Sequence, residues 1–379
     1  MRVRFLHTSD WQLGVTRRFL DADSQARWTA ARFEGIRKLG AIAAEEKCEF
    51  IVVAGDVFES NQVDRRTIVK ACEAMSGIPV PIFLLPANHD PLDAGSVFRS
   101  KNWQDRKPAQ VQVLEESGRP VQIRAGVEVV GAPWTSKRPL TDLVADASVG
   151  LDAAPGTLRV MVGHGAVDEL SPNRDDPAVI HVADAERAIG EGRFHYLALG
   201  DRHSFAKVGS SGRIVYSGTH EAYDFGEVEP GKVLIVDLGP EGVTVIPRQN
   251  GAWRFVSHQA QISTADDLAA LARYLDSLPD KDRTIIKLGL VGTLTIRLHA
   301  RLEEIEEHAS DLFAAVVRSH SRSELLVIPD DSDFDDLSLA GFAAVTVEKL
   351  RAQAQGAGPE AEQAGDALAL VMRLAGRAA

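Results

Sequence analysis

Short apolar runs alternate with longer stretches of helical periodicity through the first two thirds of the chain. The runs at 3–7, 50–54, 82–85, 127–130, 159–162, 196–199 and 232–238 predict strands. Several are apolar throughout, as in sheets covered on both faces. Between the first two runs, residues 24–46 place Trp28, Ile36, Leu39 and Ala43 on one helical face. Strands separated by helices of this kind predict an α/β layered fold.

The character changes around 248–254. After a loop at 277–283 the sequence predicts a strand at 284–290, then a helix over 299–317 with Leu302, Ile305, Ala309, Leu312 and Val316 at three- and four-residue spacing. A second strand is expected at 324–328, ahead of the aspartate-rich stretch IPDDSDFDDL. That stretch lacks the spacing and terminal glutamate of an EF-hand, so it reads as a helix entry or a solvated loop. From Leu339 onward the chain is alanine-rich and helical, broken by GAGPE, and ends in an apolar stripe of Leu368, Val371 and Leu374. These shifts divide the chain into 1–250, 251–338 and 339–379.

Composition narrows the class. The 379 residues are 45% hydrophobic and 25% charged, the mix of a soluble globular protein. The formal net charge is −12. Residues 1–110 nevertheless hold 16 basic against 14 acidic side chains, so the acid lies in the later two thirds. A protein that grips nucleic acid through a blanket of positive charge alone is excluded. Cys48 and Cys72 show no CxxC spacing, which leaves no disulfide framework or thiolate cluster and makes both buried fillers. No run reaches the roughly 18 apolar residues of a membrane span, and the opening residues lack a signal-peptide core. The expectation is a cytoplasmic protein without membrane contact.

Metal-ligand residue types recur just past the C-terminal ends of the predicted strands, which share one edge in an α/β sheet. The first run is followed by Asp10-Trp11-Gln12, the second by Gly55-Asp56 and the third by Asn88-His89-Asp90. Later runs deliver Gly163-His164 and Asp201-Arg202-His203. One such motif is commonplace, since Asp after a strand caps turns and helices. Five in order suit two divalent ions about 3.5–4 Å apart, an arrangement that clamps a phosphate and generates hydroxide at neutral pH. The histidines at 7, 181, 195, 258, 299, 308 and 320 fall outside the pattern and read as core or surface residues; His220 stays unassigned. Arg17 and Arg18 follow the first motif and could meet DNA phosphates or simply be solvated.

The order of these motifs resembles that of the calcineurin-like metallophosphoesterases. More narrowly, FLHTSDWQLG, GDVFES, PIFLLPANHDP and VYSGTHEAYDFGE resemble segments of SbcD-type and YhaO-like DNA repair exonucleases. The resemblance implies an α/β fold: a β-sandwich flanked by helices, with a small α/β capping domain and a helical C-terminal tail. It assigns one metal to Asp10, Gln12, Asp56 and His203, and the other to Asp56, Asn88, His164 and Asp201, with Asp56 as the bridge. It makes His89 the general acid that protonates the leaving oxygen. Asp90 would orient His89 or cap a helix. Gln12 and Asp201 stand where the family has histidine, which puts oxygen in place of two imidazoles and favours Mn²⁺, with Mg²⁺ the alternative, over Zn²⁺. The implied function is metal-dependent DNA exonuclease and endonuclease activity in repair, with DNA and an SbcC-like coiled-coil ATPase as partners and a homodimer allowed. A phosphodiesterase or phosphatase acting on a small phosphodiester or a phosphoprotein, or a catalytically weakened subunit binding DNA or the ATPase, is the alternative. The apolar tail would either dock on the ATPase or pack on its own domain.

Overall fold

The computed structural model describes residues 1–153, 155–319, 323–328, 342–356 and 358–376. The aspartate-rich stretch from residue 329 onward, His320 and the side chain of Leu374 lie outside the described residues.

Two six-stranded sheets form the first unit, Met1–Arg18 with Gln25–Trp253. One runs Gly242–Gln249, Lys232–Gly239, Val3–Thr8, Ile51–Val53, Ile82–Leu84, Val111–Val113; the other runs Val121–Arg124, Val127–Gly131, Leu158–His164, Tyr196–Gly200, Ile214–Tyr216, Ala206–Val208. Strand side chains alternate between faces. Val3, Phe5, Phe50 and Val52 of the first sheet therefore meet Val127, Val160, Tyr196 and Ala198 of the second in one core. Phe5 stacks on Phe50 with centroids 5.0 Å apart and meets the edge of Tyr196 at 5.5 Å.

The outer faces are equally apolar. Leu6, Ile51, Val53 and Leu84 pack against Ile36, Leu39 and Ala43 of the helix Ala22–Glu45 and against Ile68, Ala71 and Met75 of Arg65–Ser76. On the far side Val130, Met161 and Leu197 pack under the helices Leu143–Val149 and Val182–Gly190. This helix–sheet–sheet–helix order explains why the predicted strands carry so little polarity. Cys48 and Cys72 are buried within the first of these layers.

The second unit comprises Phe19–Ser24 and Arg254–Ala379. Its long strand Thr284–Thr295 pairs in parallel with Arg254–Gln261 on one side. On the other it pairs first with Ala315–Arg318 and then with Glu324–Ile328. Helix Ala265–Ser277 starts from a capping box in which Thr264 and Asp267 satisfy each other's backbone N–H groups. The helix expected over 299–317 runs instead from Ile296 to Leu312, because Thr295 caps its start and Ala315–Arg318 is drawn into the sheet. Val316 is therefore a strand residue. In the tail, Leu368 is fully buried against Ile296 and Val347, with Val371 packed alongside, so these two residues pack on their own unit. No helix among the described residues is long and apolar enough to cross a membrane.

Candidate metal centre

The strands Val3–Thr8, Ile51–Val53 and Ile82–Leu84 run parallel in one sheet, and Leu158–His164 and Tyr196–Gly200 run parallel in the other. Their C-terminal ends open at a common edge. Asp10, Asp56 and His164 are buried there, each offering a ligand atom within 4.8 Å of the others. Asp56 is central. Its Oδ2 lies 3.5 Å from His164 Nε2, accepts from Gln12 Nε2 at 3.3 Å and is 3.9 Å from His89 Nε2, while its Oδ1 accepts the His89 N–H at 3.1 Å. Asp201 Oδ1 stands 3.9 Å from His164 Nε2, and the Asp201 N–H donates to Asp10 Oδ1 at 3.1 Å. His203 Nε2 is 3.5 Å from Gln12 Nε2.

Several glycines and strained residues make this convergence fit. A Cβ on Gly55 would fall 2.2 Å from His164 Nδ1, and one on Gly200 would fall 1.9 Å from the Ala54 carbonyl. The imidazole of His164 lies in the gap these two glycines leave. Asp10, Gln12, Asp56 and Asp201 all have positive φ, at 53°, 45°, 54° and 96°. Each such residue costs on the order of 1–3 kcal/mol and persists only where its surroundings over-determine it.

The polar inventory fits divalent cations. Gln12 Oε1, Asn88 Oδ1 and His164 Nε2 are buried without a hydrogen-bond partner. An unpaired buried polar atom costs about 1–3 kcal/mol, and two of these side chains, Gln12 and His164, stand directly beside the Asp56 carboxylate. The field draws positive charge inward: burial opposes the His164 imidazolium, yet Asp56 with Asp10 and Asp201 lifts its pKa to about 10. Burial likewise pushes the Asp10 carboxyl up, whereas at Asp56 the burial effect is outweighed by His164 and His89, which hold that carboxyl low.

Each imidazole at the site is anchored through its other nitrogen. His164 Nδ1–H donates to the Ala54 carbonyl at 2.8 Å, and His89 Nδ1–H to the Glu59 carbonyl at 2.8 Å, which leaves Nε2 of each facing the site. His203 Nδ1 lies 3.1 Å from Glu227 Oε1, and Glu227 Oε2 accepts the Tyr223 N–H at 2.9 Å. A carboxylate behind a ligating imidazole is the usual brace of a metal-bound histidine. Glu227 closes the segment VYSGTHEAYDFGE, yet it is not one of the site candidates read from the sequence.

Two expectations change. Asp90 neither orients His89 nor caps a helix. It is fully buried and accepts the N–H groups of Phe58 at 2.9 Å and Ala87 at 3.0 Å, tying the second and third motif loops together. Arg17 is not a solvated charge: its guanidinium lies 4.0 Å over the Tyr223 ring, and Tyr223 in turn meets the His203 edge at 4.6 Å. Arg18 is exposed. His7 and His220 are core histidines, bonded to Tyr196 and to the Arg32 carbonyl.

With this fold and this site, residues 3–184 belong to the calcineurin-like phosphoesterases, the family whose model they match. The chain is accordingly a metal-binding phosphoesterase, a hydrolase. Among particular relatives it is similar to a subunit of the nuclease SbcCD from Rhodobacter capsulatus, 26% identical over 366 residues that cover 80% of this chain and 85% of that protein. Among solved structures it resembles TT1561 of Thermus thermophilus, with a TM-score of 0.40, 10% identity and coverage of 65% of this chain and 99% of the other. It also resembles a dimetal phosphatase from Danio rerio, with a TM-score of 0.39, 9% identity and coverage of 64% and 98%.

Proposed function

We propose that the chain is a metal-dependent DNA nuclease that hydrolyses phosphodiester bonds, using Mn²⁺ or, alternatively, Mg²⁺. The observation that carries this reading is the pairing of a phosphoesterase metal centre with similarity to a nuclease subunit over 80% of the chain. Asp10, Gln12, Asp56 and His203 would hold one cation, and Asp56, Asn88, His164 and Asp201 the other. Two divalent cations bound there would supply a water-derived nucleophile at neutral pH and neutralise charge on the phosphoryl oxygens.

The chain's own groups do the rest. His89, its ring fixed by the Glu59 carbonyl, delivers a proton from Nε2 to the leaving oxygen. Glu227 keeps His203 turned toward the site. Gln12 and Asp201 bring hard oxygen donors, which suit Mn²⁺ and Mg²⁺. Residues 251–338 act as a capping region, and the working partners are DNA and a coiled-coil ATPase of the SbcC kind.

The test is cleavage of linear single- and double-stranded DNA with Mn²⁺, with His89→Ala as control and a small phosphodiester as the competing substrate. DNA cleavage lost in His89→Ala supports the proposal. Turnover of the small ester without DNA cleavage, or DNA binding without cleavage, overturns it in favour of a phosphodiesterase or a binding subunit respectively.

A further inference from the structure

The first motif loop needs an external hold, since Asp10 and Gln12 both have positive φ and Trp11 lies between them. The hold comes from the helix Ala22–Glu45. Arg32 on that helix is 1% exposed, and among the described residues its guanidinium hydrogen-bonds main-chain carbonyls alone. Nε and Nη2 donate to the Trp11 carbonyl at 3.0 and 2.7 Å, and Nη2 also reaches the Asp10 carbonyl at 3.4 Å. On its other side Nη1 donates to the carbonyls of Glu221 and Ala222, both at 3.4 Å. The plane is flanked by Trp28 at 5.1 Å and Tyr223 at 5.5 Å.

These two carbonyl pairs belong to the two segments that supply and brace ligands: Asp10-Trp11-Gln12, and the stretch from Glu221 to Glu227 that backs His203. The segments are also tied by Thr219, whose hydroxyl lies 3.0 Å from the same Asp10 carbonyl. A buried guanidinium without a carboxylate among its hydrogen-bond acceptors is costly unless its donors are satisfied. Only a planar fork can bond two separated pairs at once, which a lysine ammonium cannot do.

We propose that Arg32 is a positioning residue for the metal centre, latching the Asp10–Gln12 loop to the Glu221–Glu227 segment through their carbonyls and so fixing the donors on both. The inference rests on the metal-centre reading above. It requires Arg32 to act on the cations without touching them.

The experiment compares Mn²⁺ titration by calorimetry, the electron paramagnetic resonance spectrum of the loaded centre and urea unfolding of the metal-free chain. Wild type, Arg32→Lys and Ile36→Ala are measured, the last a buried core change on the same helix that leaves the latch intact. Arg32→Lys should bind Mn²⁺ at least tenfold more weakly and lose the coupled two-ion signal, in the range typical for residues that orient metal ligands. Ile36→Ala should lower stability while keeping affinity and spectrum. Unchanged binding by folded Arg32→Lys, or an equal loss in Ile36→Ala, overturns the inference while leaving the metal centre standing. If the wild type takes up no Mn²⁺, the metal-centre reading falls and this inference with it. Should Arg32→Lys fail to fold, Thr219→Val carries the same readouts, with weakened binding supporting the latch and unchanged binding overturning it.

Discussion

The brace behind His203 gives a sharp test. Glu227 is almost wholly enclosed, its side chain 4% exposed, and both carboxylate oxygens are used: one faces His203 Nδ1 at 3.1 Å and the other accepts the Tyr223 N–H at 2.9 Å. Glu227→Gln keeps the shape but replaces one acceptor by an NH₂ group. Both neighbours are donors, so one contact becomes donor against donor. Losing a bond to a charged group removes about 1.5–3 kcal/mol, part of which the remaining amide contact restores. The net cost to the metal-free fold should be about 2 kcal/mol. Metal binding should suffer separately, since His203 no longer has an anion to hold its ring and raise its basicity. Loss of such a partner typically weakens metal affinity 10–100-fold, which is about 1.4–2.7 kcal/mol. Calorimetric titration with Mn²⁺ and urea unfolding measure the two effects independently. Glu73→Gln, at the exposed Glu73–Arg37 pair, is the control and should change stability by less than about 0.5 kcal/mol. Binding by folded Glu227→Gln within twofold of wild type would refute the reasoning.

Three other predictions draw on the same geometry. Gly200→Ala should cost about 3 kcal/mol, the upper range for overpacking, because its Cβ would lie 1.9 Å from the Ala54 carbonyl that holds His164; an unshifted unfolding midpoint would count against this packing. Gln12→His should tighten one cation without changing the reaction, and an unchanged Mn²⁺ titration would remove position 12 from the ligand set. Burial lowers His7 and His220 to a pKa of about 3, against roughly 6.5 when unfolded, so the unfolded chain binds protons first and stability must fall as pH drops below about 6.5. Between pH 6.5 and 5 the loss is about 1.6 kcal/mol per histidine. Urea unfolding at the two pH values checks the slope, and His220→Gln should remove its share.

The layered α/β architecture was readable because the central strands are apolar on both faces, and the ends of those strands carry the metal-ligand residue types. The strands that escaped notice are mostly at edges or short. Val121–Arg124 and Gly242–Gln249 alternate half-buried with exposed positions and carry charge or proline, so they resemble loops in sequence. The Ala-Val-Val run at 315–317 continued a helical spacing by coincidence, and pairing with Ile285–Lys287 overrode it. The ligand candidates announce themselves by motif, whereas the parts played by Arg32, Asp90 and Glu227, even where a residue ends a motif, come from contacts with residues 20 to 200 positions away or across a turn. Nothing local marks a residue whose partners are distant backbone groups.

The second unit is discontinuous, taking Phe19–Ser24 from near the start of the chain together with everything from Arg254 onward. Phe19 meets Phe255 edge to face at 6.5 Å. During vectorial synthesis the early segment emerges about 230 residues before its partner strand. At ordinary elongation rates that is a delay of roughly 10–50 s. The first unit can complete both sheets in that interval while Phe19–Ser24 still waits for the rest of its own unit. A polypeptide starting at Arg254 would lack that segment, so neither a genetic cut nor a protease nick near Trp253 can release the second unit whole.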